Sequence, residues 1–302
     1  MDRVREGALD AVLIAGPTAS GKSALAILLA EMLGGTVVNA DSMQVYADLR
    51  VLSARPSTAE EAQVPHRMFG FVPASAEYSV GDYLRDSAAV LADLRAAGRV
   101  PIIVGGTGLY FRALTEGLVA TPDIPDALGA RVAALAAGGG DLRAALMARD
   151  PAAAARLSPA DMPRLMRALA VVEATGRPLA EWQASAQGAP LLVPGRWAGL
   201  FINPDREVLA KRINQRFLTM MDQGALDEVR HLAGLGLPAN RGVMKAHGVP
   251  HLLAHLAGEM RLEQAIERGQ GDTRRYAKRQ MTWARKFMTG WTWVHDAREI
   301  AT

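Results

Sequence analysis

The sequence contains no cysteine among its 302 residues. Without cysteine, the chain can form neither a disulfide framework nor a thiolate metal site. No apolar run approaches the roughly 20 residues that span a bilayer, and residues 1–10 are too polar for a secretory signal. We therefore expect a cytoplasmic protein that does not enter a membrane.

The sequence also lacks a large excess of charge of one sign, since its formal net charge is only +3. Bulk composition therefore gives little support for a nucleic-acid partner. The distribution of charge is more informative, because residues 268–286 hold seven cations and a single acid, Asp272. This basic segment is a candidate contact for phosphate groups.

Strands that alternate with helices indicate an α/β fold. Apolar runs at residues 11–15, 36–38 and 100–104 predict buried parallel strands. Ala- and Leu-rich segments at 23–33 and 80–97 predict the helices between them. The pattern favours a P-loop NTPase-like parallel sheet flanked by helices.

Strand character disappears between residues 121 and 194 and returns at 197–202. The intervening stretch is rich in alanine, and the pair Ser158-Pro159 predicts the start of a helix that ends at Gly176. We predict a P-loop core in residues 1–120, an all-helical insertion domain in 121–195, and the rest of the core with a C-terminal helical region in 196–302.

Residues 16–23 match the complete phosphate-loop pattern G-x-x-x-x-G-K-[ST]. The glycines let successive backbone N–H groups point at phosphate oxygens, and the following helix adds its N-terminal dipole. Lys22 supplies a mobile positive charge, and the Ser23 hydroxyl can bind Mg²⁺. The predicted diphosphate contacts are Gly16, Pro17, Thr18, Ala19, Ser20, Gly21, Lys22 and Ser23.

No aspartate ends the strand at 100–104, where a motor ATPase or GTPase usually carries a metal-binding carboxylate. Asp41 follows the second strand, and Thr107 follows the third. Because ligands bind at the carboxyl ends of parallel strands, both residues should lie near the phosphate loop. Each also has an ordinary interpretation, as a turn or helix-cap aspartate and as a turn threonine whose hydroxyl bonds to backbone.

Five sequence blocks together resemble the tRNA dimethylallyltransferases. The blocks occur in that family's order and extend over most of the chain. They are the phosphate loop, Asp41-Ser42-Met43-Gln44-Val45-Tyr46, Val64-Pro65-His66, Val104-Gly105-Gly106-Thr107-Gly108-Leu109-Tyr110, and Ala277-Lys278-Arg279-Gln280-Met281-Thr282-Trp283.

The resemblance implies transfer of a dimethylallyl group from dimethylallyl diphosphate to the exocyclic amine of the adenosine just 3′ of the tRNA anticodon. Asp41 would be the general base, with Lys22 and Thr107 also catalytic and Arg216 a diphosphate contact. The family expectation is a monomer that grips the anticodon arm. The implied tRNA contacts are Asp41, Ser42, Met43, Gln44, Thr107, Pro163, Arg164, Arg167, Lys245, His247, Lys278, Arg279, Gln280 and Arg285.

Four residues at three sites depart from the family pattern, all in regions that the resemblance assigns to RNA contact. Ala284 stands where an aromatic residue or leucine is common. Val249-Pro250 replace a tyrosine and a basic residue, and Pro163 replaces a glutamine. Pro250 is also expected to interrupt any helix through the evenly spaced histidines 247, 251 and 255, which therefore do not predict a zinc site.

Residues 273–289, drawn as a helix, give independent support for an RNA partner. At about 100° per residue, six cations fall on one face, opposite Tyr276, Trp283 and Phe287. A solvated surface above a packed stripe is the ordinary alternative. Six cations without an acid on their face favour a phosphate backbone.

Two rival functions stay open on the sequence alone. A P-loop small-molecule kinase would share the loop, the sheet and a helical lid, but it would not need the basic C-terminal helix. A non-catalytic, nucleotide-gated RNA-binding protein would need no general base, so Asp41 would be dispensable for all of its activities.

Overall fold

The computed structural model describes residues 9–118, 122–184, 188–296 and 298–301. The chain divides into two compact units, residues 1–115 with 191–302 and residues 116–190. The predicted limits of the insertion, 121 and 195, lie five residues after those of the second unit. The predicted boundary at residues 120 and 121 and most of the polar N-terminus fall outside the described residues.

The described part of the first unit contains a six-stranded parallel sheet. Its strands are β1 (Ala11–Ala15), β2 (Thr36–Asn39), β3 (His66–Arg67), β4 (Pro101–Gly105), β5 (Trp197–Ile202) and β6 (Thr292–Val294). Their spatial order is β3-β2-β4-β1-β5-β6. Leu13 of β1 pairs with Ile103 of β4 and Gly199 of β5, so the chain returns to the same sheet after the second unit. The predicted α/β fold is confirmed.

Helices occupy most of the remaining described chain. Those before and inside the second unit are α1 (Lys22–Leu33), α2 (Thr58–Gln63), α3 (Val80–Ala96), α4 (Gly108–Glu116), α5 (Asp126–Ala137), α6 (Leu142–Met147), α7 (Pro151–Arg156), α8 (Met162–Thr175) and α9 (Leu179–Ala184). Those after it are α10 (Arg206–Asp222), α11 (Ala225–Gly234), α12 (Val249–Leu256), α13 (Leu262–Phe287) and α14 (Arg298–Ala301). No helix in the described residues is long and apolar enough to cross a bilayer.

The central strands are apolar throughout because helices cover both faces of the sheet. Every residue of β1 and of β4 is buried, as continuous apolar runs predict for parallel strands. On α3, Ser79 and Asp82 form a capping box that fixes the start of the helix. Tyr83 of the same helix is fully buried, and its hydroxyl donates to Asn39 O at 3.1 Å, next to the end of β2.

The second unit packs its own core around Leu142, Leu146 and Leu165. The predicted helix start at Ser158 is wrong, because α8 begins at Met162 with Asp161 at its N-cap. Asp161 N donates to Ser158 O at 3.0 Å, so the Ser-Pro pair forms a turn before the helix. The predicted end is confirmed: Gly176 adopts a φ of 69°, the left-handed conformation that ends helices.

Two predictions about the C-terminal region need correction. The basic helix is longer than the predicted 273–289, since α13 spans Leu262–Phe287. Pro250 does not interrupt a helix but lies in the first turn of α12, where a missing N–H costs no hydrogen bond. His251 Nε2 instead bonds to Asp272 Oδ2 at 2.7 Å. The described residues include no group of three or more histidine or acidic residues placed to hold a metal ion.

Candidate active site

The phosphate loop connects β1 to α1 at the carboxyl end of the central strand. A Cβ on Gly16 would lie 2.8 Å from Ser20 Oγ and 3.1 Å from Ile202 O, so only glycine fits at this position of the loop. Gly21 has a φ of 93° directly before α1. Ser20 Oγ is buried without a hydrogen-bond partner among the described residues, as expected for a loop shaped around a polar ligand.

Lys22 is the buried cation of this loop. Its side chain is enclosed, and its Nζ donates to Pro17 O at 3.2 Å. Burial lowers the pKa of the ammonium to about 8; the Asp41 carboxylate opposes the shift, and the Arg216 cation adds to it. An anion bound here would meet a charge that is poorly solvated, so their attraction would be stronger than at the surface.

A buried amide fixes the turn that carries Asp41. Asn39 Nδ2 donates to Asp41 O at 3.0 Å, and Asn39 Oδ1 accepts from Asp41 N at 2.8 Å. Asp41 Oδ1 accepts from Met43 N at 3.0 Å, which is the turn role that the sequence left open. Asp41 Oδ2 faces Gly106, 3.1 Å from where a Cβ on that glycine would stand. One carboxylate oxygen therefore shapes the turn, and the other points at the end of β4.

Thr107 joins the Asp41 turn to the end of β4. Its Oγ1 accepts from Ser42 N at 2.9 Å and donates to Ser42 Oγ at 3.2 Å, while its N–H donates to Ala40 O at 3.1 Å. A Cβ on Gly105 would lie only 2.0 Å from Ala40 O. This close approach explains why the strand ends in glycine and has no room for the aspartate of a motor ATPase.

Two cavities flank this junction. The aromatic cavity, of about 210 Å³, is lined by Gly16, Thr107, Phe111, Phe201, Tyr276, Arg279, Gln280, Trp283 and Ala284, among others. The loop cavity, of about 60 Å³, brings Thr18 and Ala19 of the phosphate loop together with Asp41, Met43, Arg216, His247 and Tyr276. Tyr276 lines both cavities.

Arg216 and His247 approach the loop cavity from different elements. Arg216 lies on α10; burial lowers its pKa, and the carboxylates of Asp41 and Glu60 oppose that shift. Burial, followed by the Arg279 cation, lowers the pKa of His247, so its imidazole is neutral near pH 7. The His247 ring packs against Tyr276, with centroids 4.6 Å apart. The cavity thus presents a permanent cation, a carboxylate and a neutral ring.

The inner side of α13 closes the site. Gln280 is only 9% exposed; its Nε2 donates to Gly106 O at 2.9 Å, and its Oε1 accepts from Thr18 N at 3.2 Å. Ala284, placed by the sequence in an RNA-contact region, is buried and lines the aromatic cavity. Helical spacing turns Ala277, Gln280 and Ala284 towards the sheet, and the contact of this region with RNA stays a prediction.

Comparison with known proteins decides the family. Residues 44–287 match the model described as IPP transferase, and residues 9–69 match the model described as isopentenyl transferase. A tRNA dimethylallyltransferase from Bradyrhizobium sp. strain BTAi1 is 55% identical over 286 residues, covering 94% of this chain and 93% of the relative. This chain belongs to the tRNA dimethylallyltransferase family. An Azorhizobium caulinodans relative with the same name is 54% identical, with 93% and 90% covered.

Solved structures of the family share the fold. The tRNA isopentenylpyrophosphate transferase of Bacillus halodurans is 31% identical with a TM-score of 0.68, over 95% of this chain and 90% of that one. A eukaryotic dimethylallyltransferase acting on tRNA has a TM-score of 0.80 at 27% identity, covering 97% of this chain and 75% of its own. The recognition made from the five sequence blocks is confirmed.

The outward face of α13 carries the predicted cations of this dimethylallyltransferase-family chain. Arg275, Lys278, Arg279, Arg285 and Lys286 are exposed. Among the described residues, two members of the predicted set of six have a hydrogen-bond or ion-pair partner: Arg274 bonds to Asn214 Oδ1, and Arg275 pairs with Asp272. The expectation of a face without acid is therefore wrong at its first turn, since Asp272 lies one turn before Arg275 and reaches it.

Glu228, which sequence reasoning missed, holds the backbone of residues 50–52, of which Leu52 lines the loop cavity. Its Oε1 accepts from Arg50 N and Val51 N, both at 2.7 Å, and its Oε2 accepts from Leu52 N at 3.0 Å. Gln44 Nε2 then donates to the carbonyl oxygens of Ser53 and Ala54, at 3.0 and 2.9 Å. Together these bonds hold the loop of residues 50–54 next to the turn that carries Asp41.

The remaining predicted tRNA contacts of this family member are spread over both units. Ser42 and Met43 are half-buried beside Asp41, and Lys245 is exposed in a 3₁₀ turn. Pro163, Arg164 and Arg167 are exposed on α8 of the second unit. Arg164 pairs with Asp161 at 3.4 Å. Their contacts with tRNA stay predictions.

Proposed function

We propose that the chain transfers the dimethylallyl group of dimethylallyl diphosphate to the exocyclic amine of the adenosine 3′-adjacent to the anticodon in cytoplasmic tRNA, releasing diphosphate. The observation that carries this proposal is the loop cavity, where Thr18, Arg216 and Asp41 face one space. The near-complete overlap with relatives named tRNA dimethylallyltransferase supports it.

The phosphate loop would bind the diphosphate of the donor. Loop N–H groups, Lys22 and Arg216 supply donors and positive charge, and the unpartnered Ser20 hydroxyl can donate to a phosphate oxygen. Breaking the allylic C–O bond leaves its electron pair on the diphosphate. These fixed charges therefore stabilise the transition state more than the ground state.

Magnesium fits the donor set of this loop. Mg²⁺ commonly takes one or two protein oxygens and fills its remaining positions with phosphate oxygens and water. Ser23, at the start of α1, is exposed and offers such a hydroxyl, and the described residues hold no acidic cage that would bind the ion alone. A bound ion would neutralise the charge that develops on the leaving diphosphate.

Asp41 would accept the proton of the attacking amine. The exocyclic amine of adenine is almost non-basic, and its proton becomes acidic only as the new C–N bond forms. An ordinary carboxylate in the right position is then a sufficient base. Asp41 Oδ2, directed at Gly106, is the candidate oxygen.

The adenosine would have to leave the stack of the anticodon loop to reach Asp41. Unstacked RNA bases are commonly held on aromatic side chains. The aromatic cavity offers Tyr276 and Trp283, with the exposed cations of α13 beside it for the phosphate backbone.

The direct test is mass analysis of tRNA nucleosides. Unmodified tRNA incubated with the chain, Mg²⁺ and dimethylallyl diphosphate should yield a prenylated adenosine at the position 3′ of the anticodon. Replacing the donor with ATP should give no modified nucleoside, and a guanosine at the target position should block the reaction. Phosphoryl transfer from ATP, or no product from the prenyl donor, would contradict the proposal.

A further inference from the structure

The Gln280 side chain connects the phosphate loop to the end of β4. Its Nε2 donates to Gly106 O at 2.9 Å, and its Oε1 accepts from Thr18 N at 3.2 Å. The orientation of the amide is fixed by its partners, because a carbonyl needs a donor and an N–H needs an acceptor. Both ends of this amide are therefore in use in the structure.

The surroundings of Gln280 are shaped for this contact. A Cβ on Gly106 would lie 2.2 Å from Gln280 Nε2, so only glycine allows the amide so close. On α13, Gln280 stands between two small buried residues, Ala277 and Ala284, each at most 3% exposed. These residues let the helix lie close enough to the sheet for the amide to reach the phosphate loop.

The bond to Thr18 conflicts with donor binding. Phosphate loops hold their ligand through successive inward-pointing N–H groups. Thr18 N–H is one of these groups, and Gln280 already occupies it. A diphosphate must therefore displace the amide or bind with one donor fewer. Because an intramolecular hydrogen bond has a modest net strength, losing one weakens binding by about three- to tenfold.

The aromatic cavity gives an unstacked base access to the same amide. Gln280 lines that cavity together with Tyr276, Trp283 and Arg279. Adenine carries an N6 donor and an N7 acceptor on one edge, and a glutamine amide can bind both. An entering adenine can thus replace both present partners of Gln280.

We propose that Gln280 is a positioning residue that keeps Thr18 N–H occupied until an adenine enters the aromatic cavity. The base draws the amide away, and the released N–H becomes available to the diphosphate. RNA and donor binding are then coupled, each raising the affinity of the other by the same factor. This inference rests on the proposed function for the identity of the two ligands.

The test is calorimetric titration of inorganic pyrophosphate into the full chain, with and without an unmodified anticodon stem-loop RNA. We expect the RNA to tighten pyrophosphate binding to the wild type about three- to tenfold. A stem-loop with a pyrimidine at the target position should give no gain. Equal pyrophosphate affinity with and without the cognate stem-loop overturns the proposal, and this comparison requires no variant to fold.

Variants at position 280 separate the hydrogen bond from general packing. Gln280→Ala should bind pyrophosphate without RNA as tightly as the wild type does with RNA, and should gain nothing further from RNA. Gln280→Glu keeps an acceptor for Thr18 N–H but cannot donate to Gly106 O, so its RNA-free affinity should not exceed that of the wild type. The role of the Thr18 bond is rejected if Gln280→Glu binds pyrophosphate without RNA more tightly than the wild type does. It is also rejected if Gln280→Ala, without RNA, binds pyrophosphate no more tightly than the wild type does.

A control on the same helix is Gln270→Ala. Gln270 Nε2 donates to Asn214 O at 3.1 Å, so this variant also removes a glutamine–carbonyl bond from α13. Its pyrophosphate affinity and its response to RNA should match the wild type. Pyrophosphate binding involves no prenyl transfer, so an inactive wild type with intact coupling would refute the proposed function alone. An active wild type without coupling would refute the Gln280 inference alone.

Discussion

The phosphate loop and the outward face of α13 are both rich in positive charge, but they hold it in opposite ways. Lys22 is buried and bonded to backbone, and burial lowers the pKa of its ammonium to about 8. Lys278 and Arg285, in contrast, are exposed to water. A buried charge acts at one place with little screening, whereas surface charges add many small, salt-dependent contributions. Substitutions in the first region should change the reaction, and those in the second should change affinity.

The largest effect is expected at Asp41, the carboxylate beside the buried cations. Asp41→Ala should lower turnover by about 10²- to 10⁴-fold, because the amine loses its proton acceptor. Binding of tRNA and of pyrophosphate, measured by titration, should be retained. Asp41→Asn can keep the bond to Met43 N but cannot take a proton, so it should be equally slow. Turnover near that of the wild type in Asp41→Asn would remove the assigned role.

The pH dependence of pyrophosphate binding tests how much the buried Lys22 charge of the phosphate loop contributes to affinity. Lys22 is protonated below its pKa of about 8 and loses its charge as the pH rises through that value. Pyrophosphate affinity, relative to that of Lys22→Arg, should therefore fall by about tenfold between pH 7 and pH 9. The arginine variant keeps its charge over this range and cancels the ionisation of the ligand itself. A constant ratio would show that the Lys22 charge does not contribute.

The salt dependence of tRNA binding tests the outward face. Lys278→Ala should weaken all cognate tRNAs alike and reduce the slope of log affinity against log salt by about one contact. Filter binding over a range of potassium chloride concentrations measures both quantities. An affinity that does not respond to salt would exclude phosphate contact by this face.

The smallest effect is expected at Arg275, an exposed cation on the same helix that already pairs with Asp272. Part of its charge is neutralised before RNA arrives, so Arg275→Ala should change the salt slope less than Lys278→Ala does. The same filter-binding series compares the two variants. A larger loss at Arg275 would show that exposure alone does not rank the cations of this face.

Sequence patterns predicted the fold correctly in segments whose structure depends mainly on their own residues. The strand, glycine-rich loop and helix from Ala11 to Leu33 are an example, because β1 is a continuous apolar run and the buried residues of α1 after Lys22 are all apolar. The prediction for the start of α8 was wrong because the sequence carries two capping signals, Ser158 and Asp161, that lie three residues apart. Ser158-Pro159 satisfies a turn, and Asp161 with Pro163 then starts the helix. Pro250 failed similarly, because the position of a proline within a helix decides its effect.

The candidate site was predictable where motifs carry it and not where distant partners complete it. Asp41, Thr107 and Lys22 follow strand ends or a loop pattern. The bond from Thr18 to Gln280 joins positions 262 apart, and Glu228 reaches Leu52 across 176 positions. Periodicity shows which face of a helix turns inward but does not name the atom it meets. This is why the bond from Gln280 to Thr18 was not predicted and Glu228 was missed.

Asn39 has a consequence for how the activity is lost on heating. Its amide bonds to both backbone groups of Asp41 and also donates to Met68 O at 3.1 Å, and the residue is completely buried at the end of β2. The turn that bears the carboxylate is thereby bonded to a buried strand of the central sheet, and such core strands open only when the whole domain unfolds. Turnover and the sheet should melt together, so the temperature at which activity disappears should equal the midpoint of unfolding.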